Sequence, residues 1–477
     1  MNYKSYLDKH PIFNIVSESA EKLGVEVFVI GGYVRDLQLK KDSKDIDFVC
    51  VGDGIILAKA IAKSLGKEVP VVVYKKFGTA LVKYHDLEME FVGARKESYQ
   101  SESRKPNVEA GTLQQDLDRR DFTINALGIS LNKANYGNLI DPFGGIEAIE
   151  KKVIETPLDP AITFSDDPLR IMRAVRFASQ LNFDIAPETF EAITNNAERL
   201  KIVSQERITE ELNMIILSPL PSYGFKLLYQ AGILRLIFPE MADLQGVEVI
   251  QEKGHKDNFY HTLKVLDNLS KTSSDLWLRW AAILHDIAKP LTKKFDEKTG
   301  WTFHGHEDKG AKMVPEIFRR LRLPLNDKMR KVKSLVRLHL RPIALVKEEI
   351  TDAAIRRLLF EAGEDLEDLL LLCRADITSK NHQKVKKFLS NFDKVEKKMR
   401  RVEEKDKIRN FQPVISGNEI MSTFNLSPSK VIGEIKDQIK EAILDGKIKN
   451  THREVYNFMI RVAAERGLTP AKKYSQV

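Results

Sequence analysis

Cysteine is nearly absent from this chain: 477 residues contain two, Cys50 and Cys373, each in an apolar stretch. Two thiols cannot build a disulfide framework or a four-thiolate zinc site. They are expected as core residues of a reduced, cytoplasmic protein. Long apolar runs are also missing. No stretch approaches the roughly 18 uninterrupted apolar residues of a membrane span, and the opening Met-Asn-Tyr-Lys-Ser-Tyr has no apolar core of the secretory kind. Internal repeats and low-complexity segments are lacking. What is there is ordinary for a folded protein: 43% hydrophobic and 30% charged residues, at a length that allows several cores. A formal charge of +8 leans mildly toward a polyanionic partner.

To about Ile149, short apolar runs alternate with turns. Val25–Ile30, Ile46–Val51, Pro70–Tyr74, Ala80–Tyr84 and Glu88–Val92 read as strands, and Tyr33–Leu39 and Ile56–Leu65 as helices. The polar segment Arg95–Gln115 reads as a mobile loop. From Pro168 onward apolar residues recur at three and four, punctuated by Pro219, Pro221, Pro239 and Pro324. The expected architecture is therefore α+β, an α/β head followed by an all-α remainder. Lys380–Arg409 is strongly basic, with Lys384, Lys386, Lys387, Lys394, Lys397, Lys398, Arg400 and Arg401. It is open to two readings, a solvated helix face or a phosphate track. Ile432, Ile435, Ile439 and Ile443 keep helical spacing, so the C-terminal segment should pack.

Chemistry concentrates between Phe28 and Asp47. Gly31 and Gly32 close an apolar strand and open a helix, where backbone N–H groups and the helix dipole favour a phosphate. Asp45 and Asp47 lie two apart on a strand, so a period of two places both carboxylates on one face. Hard oxygen ligands of this kind suit Mg²⁺, which takes one or two carboxylates plus substrate phosphates. Glu90 is the candidate third carboxylate and Glu88, on the same face, its rival. Downstream, in Asp116-Leu-Asp-Arg-Arg-Asp-Phe-Thr-Ile-Asn-Ala126, the adjacent Arg119 and Arg120 can meet a triphosphate, and Asn125 can bond a ribose or phosphate. The alternative for this stretch is a surface helix capped by Asp121.

Together these pieces resemble the bacterial class II tRNA nucleotidyltransferases and poly(A) polymerases of the DNA polymerase beta superfamily. The matching residues are Gly31-Gly-x-Val-Arg-Asp36, Asp45-Ile-Asp47, Phe77-Gly-Thr79, Arg95-x-Glu-x-Tyr99 and Arg119-Arg-Asp-Phe-Thr-Ile-Asn-Ala126. The resemblance implies a polymerase-beta-like head, with Gly31, Gly32, Arg35, Arg119, Arg120 and Asn125 on the nucleotide.

The block Ser165-Asp-Asp-Pro-Leu-Arg-Ile-Met-Arg-Ala-Val-Arg-Phe177 bears on base choice. Pro168 suits a first helical position with Asp167 as its N-cap. Arg170, Arg173 and Arg176 step by three, sweeping roughly 120°. They can serve a triphosphate or be merely solvated. Cytosine and adenine both set an exocyclic amine beside a ring-nitrogen acceptor. A carboxylate on Asp167 and a guanidinium on Arg170 match both bases and mismatch guanine and uracil. In the family this position usually reads Glu-Asp-x-x-Arg, with the last two as base readers. Here Asp166 stands in place of the Glu.

Farther on come His261, the pair His285-Asp286, His306, His339 and Asp376. An adjacent buried His and Asp demand partners, and imidazole with carboxylate suits a transition metal. The ordered set resembles the HD-domain phosphohydrolase superfamily, in which a first His, the His-Asp pair and a late Asp hold metal. His306 and His339 match the extra ligands of its two-metal members. The site either hydrolyses a terminal or cyclic RNA phosphate or binds metal and only supports tRNA. His255 and His304 read as loop residues outside the set.

The segments Ile415-Ser-Gly-Asn-Glu-Ile-Met421, Pro428-Ser-Lys-Val-Ile-Gly433 and Gly446-Lys-Ile-Lys-Asn450 resemble the C-terminal part of CCA-adding enzymes. The expected domains are a catalytic head at 1–150, a base-reading, RNA-binding neck at 151–245, an HD domain at 246–380 and a tRNA-binding tail at 381–477. The expected activity is template-free addition of C, C and A to the tRNA 3′ end from CTP and ATP, with Mg²⁺ in the head and a divalent metal in the HD site. No membrane partner is expected. The competing readings are a poly(A) polymerase, an HD phosphohydrolase with a vestigial head, and a non-catalytic RNA-binding protein.

Overall fold

β-Branched and aromatic residues fill the strands that carry Asp45 and Asp47, and this sets which sheet face is buried. The computed structural model describes residues 1–471 apart from 67, 76–77, 101–102, 251–252, 255, 347–350, 380, 407–408 and 410, and describes no side chains within 97–107 or 251–255. The chain divides into two compact units, Met1–Ala242 with Arg320–Leu323, and Asp243–Arg319 with Pro324–Val477.

The first unit contains nine longer-range strands and ribbons at its N-terminal end: β1 (Glu26–Ile30), β2 (Asp45–Val51), β3 (Val71–Tyr74), β4 (Thr79–Tyr84), β5 (Leu87–Gly93), β6 (Arg95–Gln100), β7 (Ser103–Ala110), β8 (Gly128–Ser130) and β9 (Leu139–Ile140). Seven of them make one sheet in the order β3-β4-β5-β2-β1-β8-β9. β2 pairs antiparallel with β1 and parallel with β5. Phe48 of β2 stacks on Phe91 of β5 at 4.8 Å between centroids, and Phe13 of the helix Pro11–Leu23 stands 6.3 Å from Phe48. That face is thereby closed. On the other face Phe28, Ile30, Val49 and Ala94 form a smaller cluster with Leu113 and Ile140 against it. Along β2, burial alternates so that Asp45 and Asp47 are exposed while Ile46 and Phe48 are buried.

The strands and helices read from the sequence occur within a residue or two of their expected bounds. Other features differ: β8 and β9 of the main sheet are not among the expected strands, and the remainder expected to be all-α carries three short strand pairs, Val153–Ile154 with Asp184–Ile185, Val249–Ile250 with Lys253–Gly254 and Lys294–Asp296 with Gly300–Thr302. The helices Lys4–Leu7 and Pro11–Leu23 precede β1 without having been expected. Arg95–Gln115 is no loop: β6 and β7 pair as an antiparallel ribbon, and the helix Leu113–Asp118 follows under a Thr112–Gln115 capping box. A two-stranded ribbon outside the main sheet has no face to bury. It therefore lacks the period-two apolar pattern by which strands are recognised. Phe77 and Lys380 lie outside the described residues.

The rest of the first unit is mostly helical. The helix Leu169–Leu181 buries Ile171, Met172, Val175 and Ala178 against Gln205–Leu217 and Pro221–Gln230. Pro168 is the cap residue rather than the first helical one, and the Asp167 Oδ1 accepts the Leu169 N–H at 3.2 Å. In the second unit the basic segment is the helix His382–Asp406, whose Phe392, Val395, Met399 and Val402 are buried. Ile432, Ile435, Ile439 and Ile443 are buried as expected, and so are both cysteines. Among the described residues no helix is long and apolar enough to cross a membrane.

Phe48 is flanked by Asp47 and fully buried, so it couples packing to the carboxylate strand. Phe48→Ala should cost about 3–5 kcal/mol, read as a lowered urea midpoint. A loss under 1 kcal/mol would mean that this face is not the core of the head.

Candidate active sites

The sheet register builds the first site. Across the parallel β2–β5 pair, Asp45 stands opposite Glu88 and Asp47 opposite Glu90. Glu88 is held in an ion pair by Lys83 of β4. Among the described residues, the side chains of Asp45 and Glu90 have no hydrogen-bond or ion-pair partner. The Asp47 carboxyl is raised above the ordinary aspartate value. Crowding by surrounding protein is the largest cause, Glu90 and Asp45 add repulsion, and Arg120 opposes them. Three carboxylates with so little compensation make a place for cationic charge.

Gly31 serves this site differently from the expectation. Its N–H donates to the Leu127 carbonyl at 2.9 Å, so it is not offered to a phosphate. Its φ is +74°, and a Cβ there would lie 2.9 Å from Arg120 Nη1 and 3.8 Å from Asp47 Oδ2. The glycine is needed for its conformation and for the room it leaves the Arg120 guanidinium. Gly32 begins the helix Gly32–Gln38.

The arginines are not loosely solvated. Fully buried Asp116 receives Arg119 Nη2 at 2.5 Å and Arg120 Nη2 at 3.2 Å. Arg35 Nη1 donates to Asn125 Oδ1 at 2.7 Å, and Asn125 Nδ2 donates to Asp121 Oδ1 at 3.0 Å. Arg173 Nε donates to Asp121 Oδ2 at 2.7 Å, and Arg176 pairs with the buried Glu211 at 3.3 Å. The guanidinium carbons of Arg35, Arg173 and Arg176 stand 5.1, 5.4 and 4.3 Å from the centre of the Phe177 ring. Arg170 donates to the backbone carbonyl of Arg119. The stretch around Asp121 is thus buried, and the surface-helix alternative is excluded. Asp167 and Arg170 are half-buried on the edge of this network.

In the second unit six expected ligands converge. His261 lies in the first turn of the helix Asn258–Ser270, His285 and His339 cap helix C-termini, His306 opens a helix and Asp376 closes one. The Nδ1 atoms of His285, His306 and His339 face the carbonyls of Ala282, Phe303 and Val336, each at 2.7 Å. A carbonyl only accepts, so the proton of each neutral ring sits on Nδ1 and the Nε2 lone pair is left bare. All three Nε2 atoms are buried without a hydrogen-bond partner. They point at Asp286, at 3.2 Å from its Oδ2 for His285, and at 3.3 and 3.9 Å from its Oδ1 for His306 and His339. Lone pairs facing carboxylate oxygens repel unless a cation stands among them.

His261 Nε2 adds contacts of 3.0 Å to Asp376 and 3.5 Å to Asp286. The ligand atoms fall into two groups, His261–His285–Asp286 and Asp286–His306–His339, that share Asp286. Burial is the largest cause that lowers His339 to about 4, so its ring is neutral at ordinary pH. This nitrogen-rich set fits a transition metal better than Mg²⁺ or Ca²⁺. His304 lies exposed in a turn, and His255 is outside the described residues.

Comparison with known proteins matches these sites in order. Residues 27–155 match the poly A polymerase head domain, 182–244 the probable RNA and SrmB-binding site of polymerase A, and 258–381 the HD domain. An A-adding tRNA nucleotidyltransferase of Deinococcus radiodurans is 32% identical over 366 residues, which are 74% of this chain and 80% of the relative. A multifunctional CCA protein of Shewanella frigidimarina is 34% identical over 373 residues, 74% and 84% of the two chains. The chain belongs to the class II CCA-adding enzyme and poly(A) polymerase family with an HD domain. It is a nucleotidyltransferase. Among solved structures, a tRNA nucleotidyltransferase complexed with a primer tRNA and an incoming ATP analogue superposes with a TM-score of 0.56 at 26% identity, over 80% of this chain and 99% of that one.

Within this family member, sequence reasoning overlooked several residues that hold the sites together. Asp116 and Asp121 lay inside the quoted motif, but nothing local says that an aspartate is buried. Glu211 had no signal at all, because the fold alone sets it beside Arg176, and Phe177 closes a quoted block without any local sign that three guanidiniums stand around its ring. Lys289, whose Nζ lies 2.5 Å from Asp286 Oδ2, follows the His-Asp pair by one helical turn.

Two measurements check the electrostatics. Burial by itself would raise the Asp121 carboxyl, but Arg173, the Asn125 amide and Arg170 outweigh it and hold it at about 2. A carboxyl depressed in the folded state stabilises above its unfolded value of about 3.9, and that stability is lost as pH falls toward 2. Urea midpoints should therefore drop between about pH 4 and 2, by on the order of 2 kcal/mol from this group. In Asp121→Asn that part of the acid limb should vanish. For the second unit, Mn²⁺ added to metal-free protein should raise the thermal midpoint, equivalent to about 2.7 kcal/mol at a hundredfold excess over Kd. Asp286→Ala, which removes the shared ligand, should abolish the shift. An undiminished shift would put the metal elsewhere.

Proposed function

We propose that this protein rebuilds the tRNA 3′ end by adding C, C and A from CTP and ATP, releasing pyrophosphate. The observation that carries the reading is the set of carboxylates Asp45, Asp47 and Glu90 on one sheet face, with Arg120 the charge that opposes their repulsion at Asp47, beside an ordered arginine network. Asp45 and Asp47 would hold Mg²⁺ there, and the chemistry it would supply is neutralisation of triphosphate charge and activation of the primer 3′-hydroxyl. In this reading Glu90, rather than the Lys83-bound Glu88, is the third carboxylate. Six arginines (35, 119, 120, 170, 173 and 176) against Asp36, Asp116, Asp121 and Glu211 leave a positive surplus suited to a triphosphate. Those paired with a carboxylate keep N–H donors beyond the ones spent on it, and Arg170 spends one on a carbonyl.

Base choice falls to Asp167, accepting from the exocyclic amine, and Arg170, donating to the ring nitrogen. Arg170 is steadied by the Arg119 carbonyl and Asp167 by the Leu169 N–H. The HD centre, in the same proposal, is a metal-dependent phosphohydrolase for terminal or cyclic phosphates on RNA. The bare imidazole nitrogens around Asp286 support it. A second reading, addition of the terminal A only, draws on the Deinococcus radiodurans relative of that name.

Incorporation on tRNAs lacking one, two or three terminal nucleotides, with CTP and ATP supplied separately, decides. The full activity predicts two C residues from CTP alone on the shortest tRNA and one A from ATP on the CC-ended tRNA. An A-adding enzyme extends only the latter, and a poly(A) polymerase adds A repeatedly. Asp47→Ala should abolish all incorporation while tRNA binding in a filter assay persists. Asp167→Ala should lose about tenfold or more of its discrimination against GTP and UTP, with only the small drop in melting temperature expected from losing the bond to the Leu169 N–H.

A further inference from the structure

Two neighbouring cavities border the HD centre at His261 and Asp376, and their walls bear on the shape of its substrate. The smaller, about 390 Å³, is lined by Lys289, Phe303, Ile343, Asp376 and Phe388. The larger, about 910 Å³, is lined by Val247, Tyr260, Lys264, Asn268, His382 and Val385. Lys256, His261, Ile377 and Thr378 belong to both. A single nucleotide is a drug-sized ligand, for which a pocket of about 300–1,000 Å³ suffices. The smaller cavity, which holds the ligand Asp376, is enough for it. The larger is surplus to a mononucleotide.

Between them the two cavities have the components of a single-strand groove, an aromatic face in each (Phe388 in the smaller, Tyr260 in the larger) and cations. Tyr260 is 51% exposed and Phe388 43%, unusual for rings with an apolar core nearby. Tyr260 and Lys264 are one helical turn apart, so they share a face of the helix that also carries His261. Lys264 has no ion-pair partner among the described residues. Lys256 is fixed by donating to the Thr378 carbonyl at 3.1 Å. Across the groove, His382, Val385 and Phe388 recur every three residues on the first turns of the helix His382–Asp406, whereas its buried side chains begin at Phe392.

We propose that the HD centre takes the end of a single RNA strand at least two nucleotides long, in preference to a free nucleotide. The terminal nucleotide occupies the smaller cavity with its base against Phe388. The preceding one lies in the larger cavity, its base on Tyr260 and its phosphate at Lys264. This rests on the phosphohydrolase reading of the centre and adds the substrate's length and the residues that measure it.

The test is fluorescence anisotropy of 5′-fluorescein-UpUpU-3′-phosphate, bases the head is not suited to read, on the metal-free full-length chain. Unlabelled UpUpU-3′-phosphate should displace the probe at a concentration at least tenfold below that of uridine 3′-monophosphate. Tyr260→Ala should weaken the trinucleotide about tenfold, within the range of one stacked base, and Tyr260→Phe should restore it. Phe388→Ala should weaken both ligands. Lys264→Glu, a surface charge reversal that folding tolerates, should weaken the trinucleotide and flatten its salt dependence. Equal competition by mono- and trinucleotide, or undiminished trinucleotide binding by Tyr260→Ala and Lys264→Glu, overturns the proposal. Hydrolysis of p-nitrophenyl phosphate by the Mn²⁺-loaded chain reports separately. Its absence overturns the phosphohydrolase reading, whereas hydrolysis without a strand preference overturns only the substrate length.

Discussion

The buried Asp121 carboxylate is the tie on which the nucleotidyltransferase unit depends. One oxygen takes the Phe122 N–H and the Asn125 amide, and the other takes Arg173. Through Asn125 it reaches Arg35, on the helix that follows the glycine pair. Through Arg173 it reaches the helix that carries Arg170 and Phe177. The segment bearing Arg119 and Arg120 is thereby held to both the helix Gly32–Gln38 and the helix Leu169–Leu181. A buried ion pair of this kind contributes little net stability against an apolar replacement, yet losing one partner strands the other. Its value here is geometric: it places the guanidiniums in a fixed array before substrate arrives.

Both metal-suited centres follow one electrostatic rule, in opposite chemistry. On the sheet, hard carboxylate oxygens stand together with too little positive charge, which suits Mg²⁺ and phosphates. In the HD centre, backbone carbonyls fix the imidazole protons on the outer nitrogens and turn the bare nitrogens inward on Asp286. That arrangement suits a softer ion. In each case the protein leaves polar atoms unmatched where a cation would match them. Other charged groups of the sites, such as Asp116 and Glu211, are paired.

Much of this was legible beforehand because short motifs carry their own geometry. A period of two set Asp45 and Asp47 on one face, and apolar runs marked five strands of the head. The His-Asp pair and its flanking histidines were visible as a set of unusual buried polar residues. The polar ribbon β6–β7 was not legible, since it covers no core and so shows no alternation. The role of Gly31 was misread for a similar reason. The sequence shows that a glycine is there, but only the fold shows that its N–H is taken by Leu127 and its empty side belongs to Arg120.

By itself, then, the sequence determined the fold class, the family and the identity of the candidate ligands, because these rest on residue type and near-neighbour spacing. Tertiary structure decided which ligands meet and in what state. It paired Glu88 with Lys83 and left Glu90 without such a partner among the described residues, and it placed Asp286 in both groups of candidate ligands. It also converted Arg173 and Arg176 from candidate free cations into partners of Asp121 and Glu211. Charge compensation is a property of distance in space. Two groups 35 or 52 residues apart acquire it only when packing brings their elements together.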